Sequence, residues 1–362
     1  MQLALIDILP FLLLILLFYN AKAVKPISDF NNDYLSIESG KCMRGFFALL
    51  VLMHHISQVT TDGLLFSNLN YIGFLPVSIF FFLSGYGLQK SHMNTEDYKN
   101  GFLIKRVIKI LIPYVIVTFL FWILYLANGF FFSVKDVFVF AIKGNPIATH
   151  SWFIISIMAF YFIFWLLMLL FNKHHGRMIV GAFIWNVVYV LFCFGMIYGV
   201  WWYDASIVFV FGMLWAYKEK SILPFVKKYY KIVLFLVIEM FLICFFVRDK
   251  SIALDPLNYK DIILTMISAI LFSIIVLLIN LKIKFKCKTL AKIGEISLEL
   301  YLVHGLFILG LRSNIIYIKN DSAYAFLCII GSLILGKIFH KFLSFSSKAK
   351  KNEWKSVRII GF

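Results

Sequence analysis

Long apolar runs recur along the whole 362-residue chain. Apolar residues make up 62% of the sequence and charged residues 15%, and each run is long enough to cross about 30 Å of hydrocarbon. Within lipid only helices and closed barrels satisfy their own backbone hydrogen bonds, and these runs do not alternate as barrel strands do. The sequence therefore predicts an all-α, polytopic membrane bundle of about ten core helices plus one extra N-terminal helix. We expect spans near residues 3–20, 43–60, 73–89, 107–128, 151–171, 178–199, 201–217, 232–247, 261–281, 294–311 and 323–341.

The distribution of positive charge predicts the orientation of these spans. If segment 21–44 is cytoplasmic, every second loop is too, and the other side then holds only seven of the 35 Lys and Arg residues. This asymmetry follows the positive-inside rule, so we expect the N-terminus outside and the C-terminus in the cytoplasm. Topology and attraction to anionic lipid explain the net charge of +17, so no nucleic-acid partner is expected. The seven outer cations are Lys135, Lys143, Arg248, Lys250, Lys260, Arg312 and Lys319.

The N-terminal apolar run and the cysteine spacing indicate whether a signal peptide, a disulfide framework or a metal site is expected. The run ends in a small-residue segment at 21–23, as a signal peptide would, but it lacks a basic start and carries Asp7. A retained N-terminal helix over residues 1–22 is favoured. The five cysteines are scattered without paired spacing, so neither a disulfide framework nor a metal site is expected.

An arginine and a histidine share one face of the second predicted helix. Arg44 and His55 are three helical turns apart, about 16 Å along the axis, whereas the adjacent His54 points about 100° away. One explanation is a histidine that hydrogen-bonds a neighbouring helix for packing. We favour function, because an ionisable residue near the bilayer middle is costly and membrane spans seldom carry two adjacent imidazoles. A surface cation aligned with a buried base suits an anionic substrate that reacts at its far end.

Further polar side chains lie on the third, fourth and tenth predicted helices. On the tenth, Ser297, Tyr301 and His304 share a face, and His304 lies at a depth similar to that of His55. For His304, packing and function are equally favoured. On the third, Ser84-Gly85 suits close helix packing. The basic cluster that opens the fourth fits either the positive-inside rule or phosphate binding, and comprises Lys105, Arg106 and Lys109.

Aromatic residues mark the predicted outer surface. His150-Ser151-Trp152-Phe153 opens the fifth helix, and Trp201-Trp202-Tyr203-Asp204 forms a tight outer corner. Interfacial tryptophans usually belong to the aromatic belt, which is the favoured interpretation here. They also stack on sugar rings, and the Asp204 carboxylate is suited to binding hydroxyls.

Six motifs in a fixed order resemble the acyltransferase-3 family of integral membrane O-acyltransferases. The similarity extends over about residues 37–343 and leaves out the first helix and a basic cytoplasmic tail at 344–362. In order, the motifs are Arg44-Gly45 with the apolar run to His55, Phe82-Leu83-Ser84-Gly85, the basic loop that closes at Ile112-Pro113, Ser151-Trp152-Phe153, Phe211-Gly212-Met213, and Ser297 through His304.

The resemblance implies transfer of an acyl group, usually acetyl from cytoplasmic acetyl-CoA, to a hydroxyl of a sugar or glycan. It also implies a bacterial plasma-membrane location, a lipid bilayer as partner, and acyl-CoA as a donor substrate rather than a bound cofactor. The family's histidine corresponds to His55 and its arginine to Arg44. Its cytoplasmic arginine motif corresponds to Lys105, Arg106 and Lys109, where two lysines weaken the bidentate phosphate grip and leave Arg106 as the best candidate. Ile157 and Met158 stand where many relatives have adjacent glutamates.

This resemblance supports a specific set of roles. Arg44 and Arg106 would neutralise CoA phosphates, and His55 would act as general base or as acyl carrier, two routes that the sequence leaves open. Trp152 and Asp204 would bind the acceptor. The candidates for orienting His55 or stabilising an oxyanion are Ser84, Tyr86, Tyr301 and His304. The alternative function is a polysaccharide exporter without acyl transfer, which would show internal repeats or paired broken helices.

Overall fold

The computed structural model describes residues 3–26, 28–248 and 259–359, with side chains in the last range up to residue 345. Within these ranges it is a bundle of α-helices with one two-residue antiparallel pairing, β1 (Lys22–Ala23) with β2 (Ile283–Lys284). The helices are α1 (Ile8–Phe18), α2 (Ile37–Ser57), α3 (Leu64–Ser67), α4 (Phe74–Asn94), α5 (Lys109–Ala127), α6 (Val134–Ile142), α7 (Trp152–Phe171), α8 (His175–Gly195), α9 (Ile207–Lys228), α10 (Tyr230–Val247), α11 (Tyr259–Lys282), α12 (Lys288–Glu295), α13 (Ser297–Gly310) and α14 (Asp321–Ile359).

The all-α membrane bundle predicted from the sequence is confirmed. Among the described residues seven helices are long and apolar enough to cross a membrane, namely α5, α7, α8, α9, α10, α11 and α14, and nine spans result if each of two bent pairs counts as one. Each predicted apolar run except the tenth overlaps one α-helix. However, α1 falls short of span length, and α2 carries two cations and two histidines that lower its hydropathy.

The tenth predicted span is broken, which corrects the expected run 294–311. Helix α12 meets α13 at a bend of 79°, and α13 begins only at Ser297. The cause is visible in the sequence, because α12 is amphipathic: Leu290 and Ile293 are buried, whereas Lys288 and Lys292 are exposed. Such a helix suits the membrane surface rather than its interior.

Two further departures concern the loops and the C-terminus. A short outer helix, α6, occupies part of the predicted loop 129–150. Helix α14 continues from the last predicted span to Ile359, so most of the predicted tail 344–362 is helical in backbone. The final three residues of that tail, and Lys250 among the predicted outer cations, lie outside the described residues.

Glycines bring two pairs of helices into backbone contact. At the crossing of α2 with α12, a Cβ on Gly45 would overlap the carbonyl oxygen of Leu290, and one on Gly294 would overlap that of Lys41. At the crossing of α4 with α9, a Cβ on Gly85 would overlap the carbonyl oxygen of Phe209. Small residues allow this approach in membranes, where packing rather than the hydrophobic effect drives helix association. The close packing predicted at Gly85 is therefore confirmed.

Two buried carboxylates fix the segment that follows α2. Asp7 accepts hydrogen bonds of 2.8–3.1 Å from the backbone N–H groups of residues 64–66. Asp321 accepts hydrogen bonds of 2.6 and 2.9 Å from those of residues 61–62 and forms an ion pair with Arg312. These bonds hold the segment against the end of α2, which we call the outer end of the bundle, following the orientation predicted from the charges.

The α4–α9 contact yields a stability prediction with a control on the same helix. Gly85→Ala should destabilise the protein by about 1–3 kcal/mol, because the new methyl group overpacks the crossing. Gly87→Ala should not, because a Cβ at Gly87 meets nothing within 4 Å. Thermal unfolding in detergent measures both. Equal melting midpoints for the two variants would contradict the contact.

Candidate active site

Three imidazoles from distant parts of the chain meet at the outer end of the bundle. His55 comes from the last turn of α2, His304 from α13, and His150 from the segment between α6 and α7. The ring centroid of His55 lies 3.9 Å from that of His150 and 5.1 Å from that of His304. The prediction that His304 lies level with His55 is confirmed. The sequence predicts His55 near the middle of the bilayer, but it lies in the last turn of α2. It is buried because other segments cover that helix end.

The three rings lie close together with nearly parallel planes. The planes of His55 and His304 differ by 20°, those of His55 and His150 by 31°, and those of His150 and His304 by 27°. Because the centroids of His150 and His304 are only 5.6 Å apart, the three rings form a triangle rather than a single stack. Among the described residues no group of three or more His, Cys, Asp or Glu side chains could hold a metal.

Tyr301 holds two members of the cluster. Its hydroxyl donates a hydrogen bond to the carbonyl oxygen of His150, and its own carbonyl oxygen accepts one from Nδ1 of His304. Because a carbonyl only accepts, Nδ1 of His304 carries the proton and Nε2 keeps the lone pair. That Nε2 is buried without a hydrogen-bond partner. Tyr301 and His304, which the sequence proposed together, are thus part of one site with His55.

Sequence reasoning missed His150. It adopts a left-handed backbone conformation, with φ of 64°, which turns its ring toward the bundle. Burial lowers the pKa of the His150 imidazole well below its usual range, and repulsion from His304 and His54 acts in the same direction. At neutral pH the ring is therefore uncharged. Its position directly before Ser151-Trp152-Phe153 was the available signal.

A cavity of about 1130 Å³ opens onto this cluster from the outer side. Its walls come from the outer ends of helices and from outer segments, as the predicted orientation requires. His55 and His150 lie on the wall together with the two residues proposed for the acceptor, Trp152 and Asp204. The cavity is large enough for a drug-sized ligand, whose pockets span about 300–1,000 Å³.

Two charged residues of the cavity wall are incompletely satisfied. Asp204 is buried, and its Oδ1 has no hydrogen-bond partner among the described residues. The guanidinium carbon of Arg248 lies 4.6 Å from the ring centroids of both Phe74 and Phe245, and within the same part of the chain its Nε also has no partner. Nη2 of Arg248 donates to the carbonyl oxygen of Tyr71 at 2.8 Å. Both residues retain capacity to bind a polar ligand.

The outer tryptophans do not share one role. Trp201 is 41% exposed and lines the cavity. Trp202 is buried, and its indole donates to the carbonyl oxygen of Gly144 at 3.0 Å. The belt interpretation is therefore wrong for Trp202, because the segment that follows α6 covers its ring and supplies a hydrogen-bond acceptor.

Arg44 lies at the opposite, inner end of the bundle, in the first half of α2. It is half-buried and, within the described residues, forms no hydrogen bond or ion pair. The Tyr161 hydroxyl, which donates to Ser84 at 3.2 Å, interacts electrostatically with both Arg44 and Arg106. The two arginines proposed for one ligand thus share a neighbour.

The rest of the basic cluster is solvent-exposed. Lys105, Arg106 and Lys109 lie in or next to a π-helical turn, Ile104–Ile108. Nη2 of Arg106 donates to the Tyr98 hydroxyl at 3.1 Å. The two lysines are therefore accessible to a soluble anion, but they do not form a preorganised binding site.

Ser84 and Tyr86 are not brought to His55. The Ser84 hydroxyl accepts from Tyr161 on the Arg44 side. The Tyr86 hydroxyl donates to Glu219 of α9, which is also bonded by Tyr34 and Lys90. The proposal that either residue orients His55 is corrected, because the helix partners of α4 take up both hydroxyls.

A family model for acyltransferase-3, described as an acyltransferase domain, matches residues 38–340, which include Arg44, the three imidazoles and the cavity wall. The chain belongs to the acyltransferase-3 family. It is thus a multi-pass membrane acyltransferase. No curated protein and no solved structure matches it significantly.

The Tyr301 hydroxyl of this acyltransferase gives a testable contribution to stability. Tyr301→Phe leaves the carbonyl of His150 without its donor, which costs about 1–3 kcal/mol for a buried acceptor. Tyr317→Phe, at a residue that is 69% exposed, is the matched control. Thermal unfolding in detergent should show a lower midpoint for the first variant only. An unchanged midpoint would show that Tyr301 does not hold His150.

Proposed function

We propose that the protein transfers an acyl group, most simply acetyl, from cytoplasmic acyl-CoA to a sugar hydroxyl of a surface polysaccharide or glycolipid in a bacterial plasma membrane. One observation carries the proposal: His55 lines a large outer cavity, and the helix that bears it also bears, at the inner end, an arginine that forms no hydrogen bond or ion pair among the described residues. The reacting groups of a cytoplasmic donor and an outer acceptor would meet at that imidazole.

The donor side is built for an anion. Arg44 is half-buried with no partner among the described residues, so it retains all its donors for phosphate. Arg106 adds a second guanidinium at the surface. A small inner cavity beside Gly40 and Met43 holds only about 10 Å³, scarcely room for one water. Entry of a pantetheine arm there would require the surrounding helices to move apart.

The acceptor side is built for a sugar. Trp152 and the half-exposed Trp201 line the cavity, and aromatic side chains of this kind stack on sugar rings. The unpartnered Oδ1 of Asp204 would accept a hydrogen bond from a hydroxyl. The donors of Arg248 suit the oxygens of the same ligand. These groups lie in the cavity that His55 lines.

Two balanced routes lead to the product. In the first, His55 takes the proton of the acceptor hydroxyl, the oxygen attacks the thioester carbon, the carbon–sulfur bond breaks, and the CoA thiolate leaves and is reprotonated by the imidazolium. In the second, the imidazole nitrogen attacks the thioester carbon, the carbon–sulfur bond breaks and CoA leaves as the thiolate; the acceptor oxygen then attacks the acyl carbon, the bond to the ring nitrogen breaks, and the hydroxyl proton is passed to the thiolate. Both routes need a lone pair on His55 that faces the cavity.

The other two imidazoles would support this step. His304 has a buried Nε2 with no hydrogen-bond partner among the described residues, and this nitrogen could accept a hydrogen bond as the site rearranges around a substrate. His150 is uncharged and packed against His55, so it shields the reacting nitrogen from bulk water without adding a competing charge.

A polysaccharide exporter without acyl transfer is the second candidate. One feature favours it: two helix pairs, α3 with the following turn to α4 and α12 to α13, are bent by 50° and 79°, and transporters often carry such broken helices. The two candidates differ in whether acyl-CoA is consumed.

Loss of the His55 imidazole tests the proposal. His55→Ala should lower release of CoA from acetyl-CoA in the presence of acceptor glycans by about 100-fold or more. His174→Ala, at an exposed inner histidine, is the matched control and should retain full activity. Full activity in His55→Ala, at normal membrane levels, would rule out a catalytic role for that imidazole. No CoA release by the unaltered protein with any glycan would favour the exporter.

A further inference from the structure

We propose that Gln58 and His54 are positioning residues that fix the proton of His55 on Nδ1 and leave the lone pair on Nε2. The inference rests on the proposed role of His55 in acyl transfer.

A chain of three hydrogen bonds links His55 to the main chain. Nδ1 of His55 is 3.2 Å from Oε1 of Gln58, and Nε2 of the Gln58 amide is 3.2 Å from Nε2 of His54. Nδ1 of His54 is 2.9 Å from the carbonyl oxygen of Leu69. This series of hydrogen bonds therefore ends at a carbonyl oxygen, which only accepts hydrogen bonds and does not titrate.

That terminal carbonyl sets the direction of every bond. Because the Leu69 oxygen only accepts, His54 carries its proton on Nδ1, and its Nε2 is an acceptor. Only the NH₂ group of Gln58 can donate to that nitrogen, so the amide oxygen must face His55. Accepting at this oxygen places the His55 proton on Nδ1. The reverse amide orientation would set two acceptors against each other at His54.

The anchor of the chain is rigid. Leu69 belongs to the 3-10 turn Asn68–Tyr71, which follows the helix whose N-terminal N–H groups are held by Asp7. The packing around His54 is tight as well, since a Cβ on Gly73 would overlap its ring. The Leu69 carbonyl is therefore held in place while the substrate binds and reacts.

The consequence falls on the nitrogen that faces the substrate. Nε2 of His55 has no hydrogen-bond partner among the described residues, and the ring lines the outer cavity. Without the chain the proton would occupy either nitrogen, and the form with Nε2–H could neither accept a proton nor attack a thioester there. A fixed tautomer serves both routes, as the aspartate of a Ser-His-Asp triad serves its histidine.

Electrostatic influence on His55 comes from three other histidines. These are His54 on its own helix, His150 before α7 and His304 on α13. Within the part of the chain that the structure describes, no acidic side chain is among these influences, and the imidazole is held by neutral groups. A carboxylate introduced at position 58 would therefore change the pH dependence in a defined direction.

The experiment compares Gln58→Leu and Gln58→Glu in the purified full-length protein, with acetyl-CoA and acceptor glycan. Q58L removes both hydrogen bonds and should lower kcat by about 10- to 100-fold, part of what a positioned general base contributes, with KM for acetyl-CoA unchanged. Q58E still accepts from Nδ1 and should recover at least about tenfold of that loss. Its carboxylate stabilises the imidazolium, so the acid limb of the pH–activity profile should move to higher pH.

Ser57→Ala is the matched control. Among the described residues its hydroxyl donates only to the His54 carbonyl. Ser57 is adjacent to Gln58 but takes no part in the three hydrogen bonds, so kcat and the pH profile should stay as in the unaltered protein. Q58L with unchanged kcat would overturn the proposal. So would equal losses in Q58L and Q58E with the same pH profile, because Gln58 would then be merely structural.

A second readout separates this proposal from the proposed function. Diethyl pyrocarbonate acylates an unprotonated imidazole nitrogen, and peptide mass spectrometry locates the modified histidine. At pH 7, Q58L should slow modification of His55 at least about twofold relative to His174, because the lone pair is then divided between two nitrogens. If the unaltered protein consumes no acyl-CoA but this slowing occurs, the positioning role of Gln58 stands and the acyltransfer proposal fails. An unchanged modification rate together with unchanged activity would overturn that positioning role.

Discussion

Backbone contact at glycine determines which helices are neighbours around the site. Gly45 and Gly294 bring α2 against α12, and Gly85 brings α4 against α9. Helix α12 packs against α2 at this contact, and the chain bends before α13 begins. Helix α13 then runs beside α2, with His304 next to His55. In a membrane, where apolar helices gain little by leaving lipid, such packing decides which helices are neighbours.

Polar groups inside the bundle fall into two classes. Glu219, Asp7 and Asp321 have their hydrogen bonds filled by side chains or main chain, and they hold segments together. Among the described residues, Arg44 and the Oδ1 atom of Asp204 form no hydrogen bond, and neither does Nε2 of His304. A buried polar group without a partner costs free energy, a cost that the proposed ligands would offset. The members of this second class stand at the inner end, the outer cavity and the imidazole cluster between them.

The sequence predicted the helices and the pairs of residues that share a helix, and little of what depends on contact between helices. Spacing alone placed Arg44 with His55 and Tyr301 with His304, because a helix repeats regularly. The contribution of His150 depends on a left-handed residue and on a distant tyrosine hydroxyl, and no local pattern encodes either. Tyr86 was misplaced for the same reason, since its partner Glu219 is 133 residues away. The amphipathic pattern of α12 indicates the break at Ile296, whereas hydropathy alone predicts one continuous span over 294–311.

The central claim is that a donor from the inner side and an acceptor from the outer side react at His55. The most direct test places the purified protein in sealed vesicles with its inner face outward, adds labelled acetyl-CoA outside, and encloses acceptor glycan. The account predicts label on the enclosed glycan and release of CoA to the outside, and neither when acetyl-CoA is enclosed with the glycan instead. Labelling only when donor and acceptor share one compartment, or passage of glycan across the membrane without CoA release, would contradict it.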